Sequence, residues 1–242
     1  MEKEIYNGVE ILHFGCVDST NTVAMEYKDK RHMLTVVSDI QTSGRGRMGH
    51  DFFSYNGGLY MSVILDPSKI KIPYNLCTPS AAIAVKRSLN KYCSNEIKIK
   101  WVNDLYIGTK KICGILSESR IINGKVERIV IGIGVNLLNK EPFPHNIAEK
   151  AGYVGCNTDK MTLCAEIVKN IGSIILQNKD LIVQEYSNNL AFTGETVNVT
   201  DYTNDNSKIK GKILGVNDDC FLILQLSDSS TKIISSGEII NI

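Results

Sequence analysis

Residues 41–50 read Gln-Thr-Ser-Gly-Arg-Gly-Arg-Met-Gly-His, so that glycine alternates with arginine. Short runs rich in Val, Ile and Leu flank this stretch at residues 33–37 and 59–65, and they indicate buried strands. The stretch is therefore predicted to be a glycine-rich loop between two strands. Glycine lets backbone N–H groups approach a ligand, and Arg45 and Arg47 add planar, charged donors that suit phosphate and carboxylate oxygens. We expect this loop to close over an anion.

Other interpretations of the loop fit its context less well. Gly-Arg runs occur in RNA-binding tails, but this one occurs once and lies between apolar strands. It is not a phosphate-binding P-loop, because no Gly-Lys-Ser/Thr follows. The letters of the dinucleotide fingerprint G-x-G-x-x-G are present at Gly44, Gly46 and Gly49, but no helical pattern begins after Gly49.

Length and composition limit the number of domains and the classes of function that this chain can have. The 242 residues can form one large domain, or one domain and a small module. A net charge of +1 gives no bulk electrostatic case for nucleic acid or membrane binding. No stretch approaches the ~20 apolar residues of a membrane span, and the charged N-terminus lacks the apolar core of a secretory signal. Seven scattered cysteines without a C-x-x-C pattern predict no metal site and reduced thiols in a cytoplasmic protein.

A polar cluster follows the first predicted strand, residues 9–14. Asp18, Ser19 and Thr20 are strong N-cap types, and residues 21–28 have a helical pattern. The cluster could be a cap alone. It could also present free N–H groups and hydroxyls to a polar ligand. The residues leave both interpretations open.

Two adjacent lysines begin a later apolar strand. Residues 97–101 alternate Ile and Lys before the only tryptophan, and a hairpin then leads to Lys110 and Lys111. Alternation along a strand sends the two side chains to opposite faces. One can face solvent, and the other should point into a site with an anionic partner. Gly114 would let a ligand lie against this strand.

The remaining pattern is strand, loop, helices and then short strands. A strand at 126–135 ends in Asn136 with glycines alternating before it, which suits either a planar ligand over the sheet or a tightly packed sheet centre. Residues 139–160 are predicted to be loop-like. Helices are predicted at 73–92, 162–176 and 180–188. After residue 193, short strands predict a small β-barrel of about fifty residues at 196–200, 208–216, 221–226 and 232–235.

Five motifs, taken in order, resemble the biotin protein ligase family. The resemblance runs from residue 14 to residue 136, and a C-terminal barrel with Gly237-Glu238 near its end also fits. The motifs are Asp18-Ser19-Thr20-Asn21, Gln41-Thr-Ser-Gly44-Arg45-Gly46-Arg47-Met-Gly49, Lys100-Trp101-Val-Asn103-Asp104, Lys111-Ile-Cys-Gly114-Ile-Leu-Ser-Glu118 and Gly132-Ile-Gly134-Val-Asn136.

The resemblance implies an α+β fold. A mixed sheet with helices would form a class II synthetase-like catalytic domain over residues 1–190, and a small SH3-like β-barrel would follow at 191–242. It also implies two half-reactions. The carboxylate of biotin attacks the α-phosphate of ATP, with Mg²⁺, to give biotinyl-5′-AMP and pyrophosphate. A lysine of a biotin carboxyl carrier domain then attacks the acyl-adenylate.

Residue roles follow from the same resemblance. Lys111 would lie between the biotin carboxylate and the α-phosphate, and Arg45 and Arg47 would act with it in catalysis. Lys110 could take that place if the strand register shifted by one. Biotin would contact Ser19, Thr20, Asn21, Gln41, Arg45, Gly46, Arg47, Lys111 and Gly114. ATP and the adenylate would contact Arg47, Trp101, Asn103, Asp104 and Asn136.

Four positions depart from the family pattern. His50 stands where the family usually has arginine or lysine, Phe52 where it has tryptophan, and Tyr55 and Val102 where it has proline. Phe52 keeps an aromatic surface. A histidine is only partly charged near neutral pH, which leaves open how tightly the closed loop holds pyrophosphate or ATP.

Partners and competing functions follow from these motifs. Only about fifteen residues precede the Asp-Ser-Thr-Asn segment, too few for a helix-turn-helix, so we expect a ligase that does not bind DNA. A homodimer through the central sheet is left open. A lipoate ligase and a catalytically silent biotin sensor are alternatives. The Gly-Arg loop and the polar cluster favour biotin over lipoate, and both loop arginines with Lys111 favour an enzyme.

Overall fold

The computed structural model describes residues 1–29, 31–138, 140, 142–156 and 158–240. Its larger sheet has 8 strands, of which β2 and β3 are parallel and the other neighbours antiparallel. The strands are β1 (Glu2–Tyr6), β2 (Val9–Val17), β3 (Thr35–Gln41), β4 (Leu59–Leu65), β5 (Ile97–Lys100), β6 (Asp104–Ile107), β7 (Lys110–Ile122) and β8 (Lys125–Val135). Their order across the sheet is β1-β2-β3-β4-β8-β7-β6-β5.

Helices cover both faces of this sheet at its centre. The α-helices of the described residues are α1 (Thr20–Glu26), α2 (Cys77–Leu89), α3 (His145–Ala148), α4 (Lys160–Ile174) and α5 (Lys179–Asn188). Helix α1 packs on one face with a small core that includes Ile64, and α2, α4 and α5 cover the large core on the other face, which includes Val63. Every residue of β4 is therefore buried, as expected for a strand that is covered on both sides.

The C-terminal strands form a separate 5-stranded antiparallel sheet. They are β9 (Thr196–Asp201), β10 (Ser207–Val216), β11 (Leu222–Gln225), β12 (Thr231–Ile234) and β13 (Gly237–Ile240), in the order β12-β11-β10-β9-β13. Trp101 Nε1 donates a 2.9 Å hydrogen bond to Cys220 O and so joins this barrel to the larger sheet. In the described part of the chain, no helix is long and apolar enough to cross a membrane.

The predicted fold class is confirmed, with a mixed sheet and helices followed by a small barrel. Several details were missed. Strands β1 and β13 were not predicted, and the predicted helix at 73–92 is a 3₁₀ turn at Tyr74–Leu76 followed by α2. The region predicted to be loop-like contains the short helix α3, while its residues 139, 141 and 157 lie outside the described residues. The boundary between residues 190 and 191 stays a prediction.

Candidate functional site

The start of α1 forms a buried polar cluster with the end of β3 and the middle of β4. Ser19 is the N-cap residue, but its side chain makes no capping hydrogen bond. Thr20 donates from its N–H and its hydroxyl to Gln41 Oε1, at 2.8 and 3.0 Å. Ser62 Oγ lies 2.8 Å from Thr20 Oγ1. Ser19 and Thr20 are each 3% exposed, so these polar groups are held away from bulk water in a fixed arrangement.

Asn21 connects the same cluster to β7 and β8. Its Nδ2 donates to Glu118 Oε2 at 2.7 Å, and its Oδ1 lies 2.6 Å from Ser62 Oγ. Gly132 leaves the space that Asn21 fills, because a Cβ there would overlap the Asn21 amide. Glu118 also forms an ion pair with Arg45, whose Nη2 is 3.2 Å from Glu118 Oε2. One carboxylate therefore holds both the polar cluster and the first arginine of the loop.

The glycine-arginine loop folds back on itself. Gly46 N donates to His50 O at 2.6 Å, and Phe52 N donates to Gly44 O at 2.8 Å. Gly44 permits this closure, since a Cβ at that position would lie 2.5 Å from Phe52 O. Met48 adopts a left-handed backbone with φ 53° at the tip. The loop is closed by its own backbone bonds.

Arg47 extends from this loop to the barrel. Its Nη1 donates to Gly237 O at 3.1 Å, and its Nη2 donates to Ser236 Oγ at 3.2 Å. A third bond, 3.5 Å long, runs from Nη1 to Asn103 Oδ1. All three acceptors are uncharged, so no carboxylate neutralises the guanidinium in these contacts. The charge of Arg47 is available to an anionic ligand.

The two adjacent lysines of β7 have different partners. Lys111 Nζ forms an ion pair of 2.7 Å with Asp104 Oδ1 on β6. Lys110 Nζ instead donates to backbone carbonyls of Ala148, at 3.3 Å, and Glu149. Lys111 lines both cavities of the site, and Lys110 lines neither of them. Of the two alternatives left open by the sequence, the geometry favours Lys111.

Two neighbouring cavities meet at this ion pair. The arginine-loop cavity has a volume of about 290 Å³ and lies between the polar cluster and the loop. The aromatic cavity has a volume of about 840 Å³ and is lined by Phe53 and Phe143, among others. The arginine-loop cavity brings together Ser19, Thr20, Asn21, Gln41, Arg45, Gly46, Arg47, Trp101, Asn103, Asp104, Lys111 and Gly114. Asn136, the remaining predicted site residue, lines only the aromatic cavity.

Seven residues line both cavities, and we call them the shared wall. They are Asp51, Phe52, Lys100, Asp104, Lys111, Lys150 and Glu238. The Phe52 ring lies against the sheet at Gly114 and Gly134. A Cβ on Gly114 would be 2.9 Å from Phe52 Cε2, and one on Gly134 would overlap the ring. These two glycines therefore make room for the aromatic part of the wall.

Lys100 is a half-buried cation of the shared wall. Its Nζ lies 5.2 Å from the Tyr106 ring centroid and 3.4 Å from Tyr106 Oη. Burial lowers the pKa of Lys100, although Asp104 and Glu238 act in the opposite direction. An anion bound in the shared wall would offset part of that burial cost.

Phe143, which lines the aromatic cavity, belongs to a cluster of three aromatic rings. Phe143 and Tyr153 stack with ring centroids 4.3 Å apart, and Tyr55 contacts both rings edge to face. Asn136 is fixed through its backbone, since its N–H donates to Ile112 O and its carbonyl accepts from Val154 N, both at 2.8 Å. Flat aromatic faces beside an amide side chain suit a heterocyclic base.

Sequence reasoning missed several residues of this site. Ser62 holds the polar cluster, and its only signal was a hydroxyl within a wholly apolar run. Lys100, Glu118 and Glu238 lay in quoted motifs but were given no role. Lys150 comes from a segment that was predicted to be a loop, and no local pattern indicated it.

Two family models match this chain. Residues 14–136 match the Biotin/lipoate A/B protein ligase family, and residues 192–240 match the Biotin protein ligase C terminal domain. The chain is 28% identical over 248 residues to the bifunctional ligase/repressor BirA of Bacillus subtilis. This alignment covers 95% of this chain and 73% of that protein. The chain is also 31% identical over 123 residues to the biotin–[acetyl-CoA-carboxylase] ligase of Paracoccus denitrificans. That alignment covers 50% of this chain and 51% of that protein.

A solved structure has the same overall fold. The biotin protein ligase from Aquifex aeolicus in complex with biotin and ATP superposes with a TM-score of 0.81 at 26% identity, over 95% of this chain and 97% of that chain. The family match covers the glycine-arginine loop, the polar cluster and the lysine strand, and the C-terminal match covers the barrel. The predicted resemblance is thus confirmed, and the chain belongs to the biotin protein ligase family.

Proposed function

We propose that this chain is an ATP-dependent ligase that activates biotin as biotinyl-5′-AMP and transfers it to a lysine of a carrier protein. One observation carries the proposal. Lys111 stands in the wall between a small polar cavity and a larger aromatic one. Ligands in the two cavities would therefore meet at its ammonium group. The family and the named relatives support biotin and ATP as those ligands.

The arginine-loop cavity suits biotin. The ureido head group of biotin has two N–H donors and a carbonyl acceptor, and the polar cluster offers hydroxyl and amide groups within the same small volume. Ser19, Thr20, Asn21 and Gln41 are the residues that would bind it. The carboxylate at the other end of biotin would then reach toward the shared wall.

The aromatic cavity suits the adenosine of ATP. Phe53 and Asn136 line it, so the base can stack on a ring and lie near an amide. The phosphates would then lie at the shared wall, where Lys100, Lys111 and Lys150 supply positive charge. In the part of the chain that the structure describes, no three His, Cys, Asp or Glu side chains form a metal-binding group. Mg²⁺ would be held by phosphate oxygens and water, together with carboxylates of the shared wall, which are Asp51, Asp104 and Glu238.

The first half-reaction joins two anions. A carboxylate oxygen of biotin attacks the α-phosphorus, the bond from phosphorus to the bridging oxygen of the β-phosphate breaks, and pyrophosphate leaves. Lys111 and Arg47 would reduce the repulsion between the anions and stabilise the charge that develops in the transition state. The ion pair with Asp104 would keep Lys111 in place before the substrates arrive.

The second half-reaction uses the same wall. The neutral ε-amine of the acceptor lysine attacks the acyl carbon, the bond from that carbon to the phosphate oxygen breaks, and AMP leaves. The acceptor, a biotin carboxyl carrier domain, would approach near the edge where the loop meets the barrel. The bonds from Arg47 to Ser236 and Gly237 support a role of the barrel in holding the adenylate or the acceptor.

Pyrophosphate exchange into ATP tests this proposal, with biotin, with lipoate and without an acid. Exchange that requires biotin is the expected result. Exchange with lipoate alone would keep the adenylation chemistry and overturn the substrate. Binding of biotin without any exchange would favour a sensor over an enzyme.

A further inference from the structure

We propose that Lys150 is a phosphate-binding residue that holds the pyrophosphate part of ATP during adenylation. The proposal rests on the proposed function, because it assigns the phosphates of ATP to the shared wall. Lys150 follows helix α3 and belongs to none of the motifs that identify the family. It is nevertheless part of the wall that both cavities share.

The backbone fixes Lys150 beside the catalytic strand. Lys111 N donates to Lys150 O at 2.8 Å, and Gly152 N donates to Lys111 O at 2.8 Å. These bonds pair residue 151 with Lys111 in a parallel bridge. Lys110 adds a second attachment, because its ammonium group binds the carbonyls of Ala148 and Glu149. The position of Lys150 relative to Lys111 is therefore set by the strand and not by a free loop.

The charges of the site leave Lys150 available for a ligand. Arg45 is paired with Glu118, and Lys111 is paired with Asp104. Within the described residues, Lys150 forms no ion pair. Burial lowers the pKa of Lys100, and the charges of Lys111 and Lys150 lower it further. The same wall carries the carboxylates of Asp51, Asp104 and Glu238, and Asp104 is paired with Lys111. Lys150 has no such partner among the described residues, so a phosphate chain is an anion that it can bind.

His50, which differs from the family pattern, suggests a specific role for the Lys150 cation. The family pattern has arginine or lysine there, whereas this chain has a histidine. His50 lies 4.0 Å from Glu238 across the loop and the barrel, with 70% of its side chain exposed. Lys150 would supply a permanent charge from another segment of the chain. The loop could then hold ATP without a third basic residue.

The two half-reactions separate this role from its alternatives. Pyrophosphate is present in the first half-reaction and has left before the second. In Lys150→Gln we expect the KM for ATP, and the pyrophosphate concentration for half-maximal reverse reaction, to rise about 10-fold or more. The KM for biotin, and the rate of transfer from added biotinyl-5′-AMP to the acceptor, should stay within about 2-fold of wild type. Lys150→Arg should keep most of the ATP affinity, because it retains the charge.

Lys125→Gln is the matched control, since Lys125 is exposed at the β7–β8 turn and lines neither cavity. An unchanged KM for ATP in Lys150→Gln would overturn the proposal. Slower transfer from biotinyl-5′-AMP with normal adenylation would also overturn it, and would assign Lys150 to the acceptor. Calorimetric titration of the wild-type and Lys150→Gln proteins with ATP measures the contribution of Lys150 to ATP binding independently of turnover. If wild type binds ATP but shows no biotin-dependent exchange, the proposed function fails, while the two ATP dissociation constants still test Lys150.

Discussion

Lys111 Nζ and Asp104 Oδ1 lie 2.7 Å apart in the wall between the two cavities. The residues come from adjacent strands, and the register places Asp104 opposite Gly114 and Tyr106 opposite Lys111, with an irregularity between them. The ammonium group therefore lies next to a carboxylate oxygen that is buried and accepts no hydrogen bond from the described residues. A phosphate or a carboxylate entering the wall would share this cation with Asp104.

Replacing Lys111 should abolish adenylation while biotin binding remains. In Lys111→Ala we expect the rate of biotin-dependent pyrophosphate exchange to fall about 10²–10³-fold, which is typical for the loss of one preorganised charge-stabilising donor. Calorimetry should still detect biotin, because the polar cluster that would bind the head group is untouched. Lys98→Ala, at an exposed pair with Glu96, is the control. Unchanged turnover in Lys111→Ala would end the catalytic role that we assign.

Removing the Glu118 carboxylate should weaken biotin binding. Glu118 holds both Asn21 and Arg45, so Glu118→Gln loosens the polar cluster and the loop together. We expect the KM for biotin to rise about 10-fold, as for the loss of a charge-assisted hydrogen bond, and the loop to be cleaved faster by trypsin.

A remote ion pair of similar exposure provides the control for Glu118. Arg87 and Glu185 join α2 to α5 and have side chains 38% and 30% exposed, compared with 48% and 31% for Arg45 and Glu118. Glu185→Gln should leave the KM for biotin unchanged. An equal rise in both variants would show that the effect comes from general loss of stability.

Gly134→Ala should displace Phe52 and damage both cavities. The new methyl group would overlap the Phe52 ring. We expect a loss of stability of about 1–3 kcal/mol from overpacking, and a higher KM for both biotin and ATP. Gly15→Ala is the control, because a Cβ there would contact nothing within 4 Å. Phe52→Leu in the Gly134→Ala background should restore stability, and a failure to do so would contradict the assigned overlap.

The buried charge of Lys100 should lower the stability of the folded protein, although ATP binding requires that charge. Burial lowers its pKa, so the folded state holds this proton less tightly than the unfolded state does. The wild-type protein should therefore gain stability as the pH rises from the lowered pKa toward the ordinary lysine value of about 10.4. Lys100→Met removes the buried charge, and we expect its Tm at pH 7 to exceed that of wild type by about 2–4 °C.

The advantage of Lys100→Met should shrink as the pH rises, and its KM for ATP should be higher than that of wild type. Thermal unfolding at pH 7 and pH 9.5 measures the first effect, and exchange kinetics measure the second. A Tm advantage that is equal at both pH values would refute the assignment of the stability cost to the Lys100 charge.

Local patterns in the sequence predicted the strands and the loop that form the site better than they predicted the contacts between distant segments. The apolar runs around the loop are strands β3 and β4, and alternation predicted that one of Lys110 and Lys111 would enter the site. Strand β1 was missed because its five residues, Glu-Lys-Glu-Ile-Tyr, lie at a sheet edge and lack an apolar run. The placement of Lys150 depends on backbone pairing with a strand about forty residues earlier, and no local pattern encodes such a contact.

The uncharged acceptors of Arg47 have a consequence for turnover. Because Ser236, Gly237 and Asn103 hold it without a carboxylate, releasing Arg47 from these acceptors separates no pair of opposite charges. Each such bond contributes only about 1–3 kcal/mol, so a ligand phosphate can replace the barrel as the partner of Arg47, and the barrel can take the guanidinium back when AMP departs. The barrel thus offers Arg47 neutral acceptors that it can regain after each catalytic cycle, and a chain that lacked the barrel would lose the two bonds to Ser236 and Gly237.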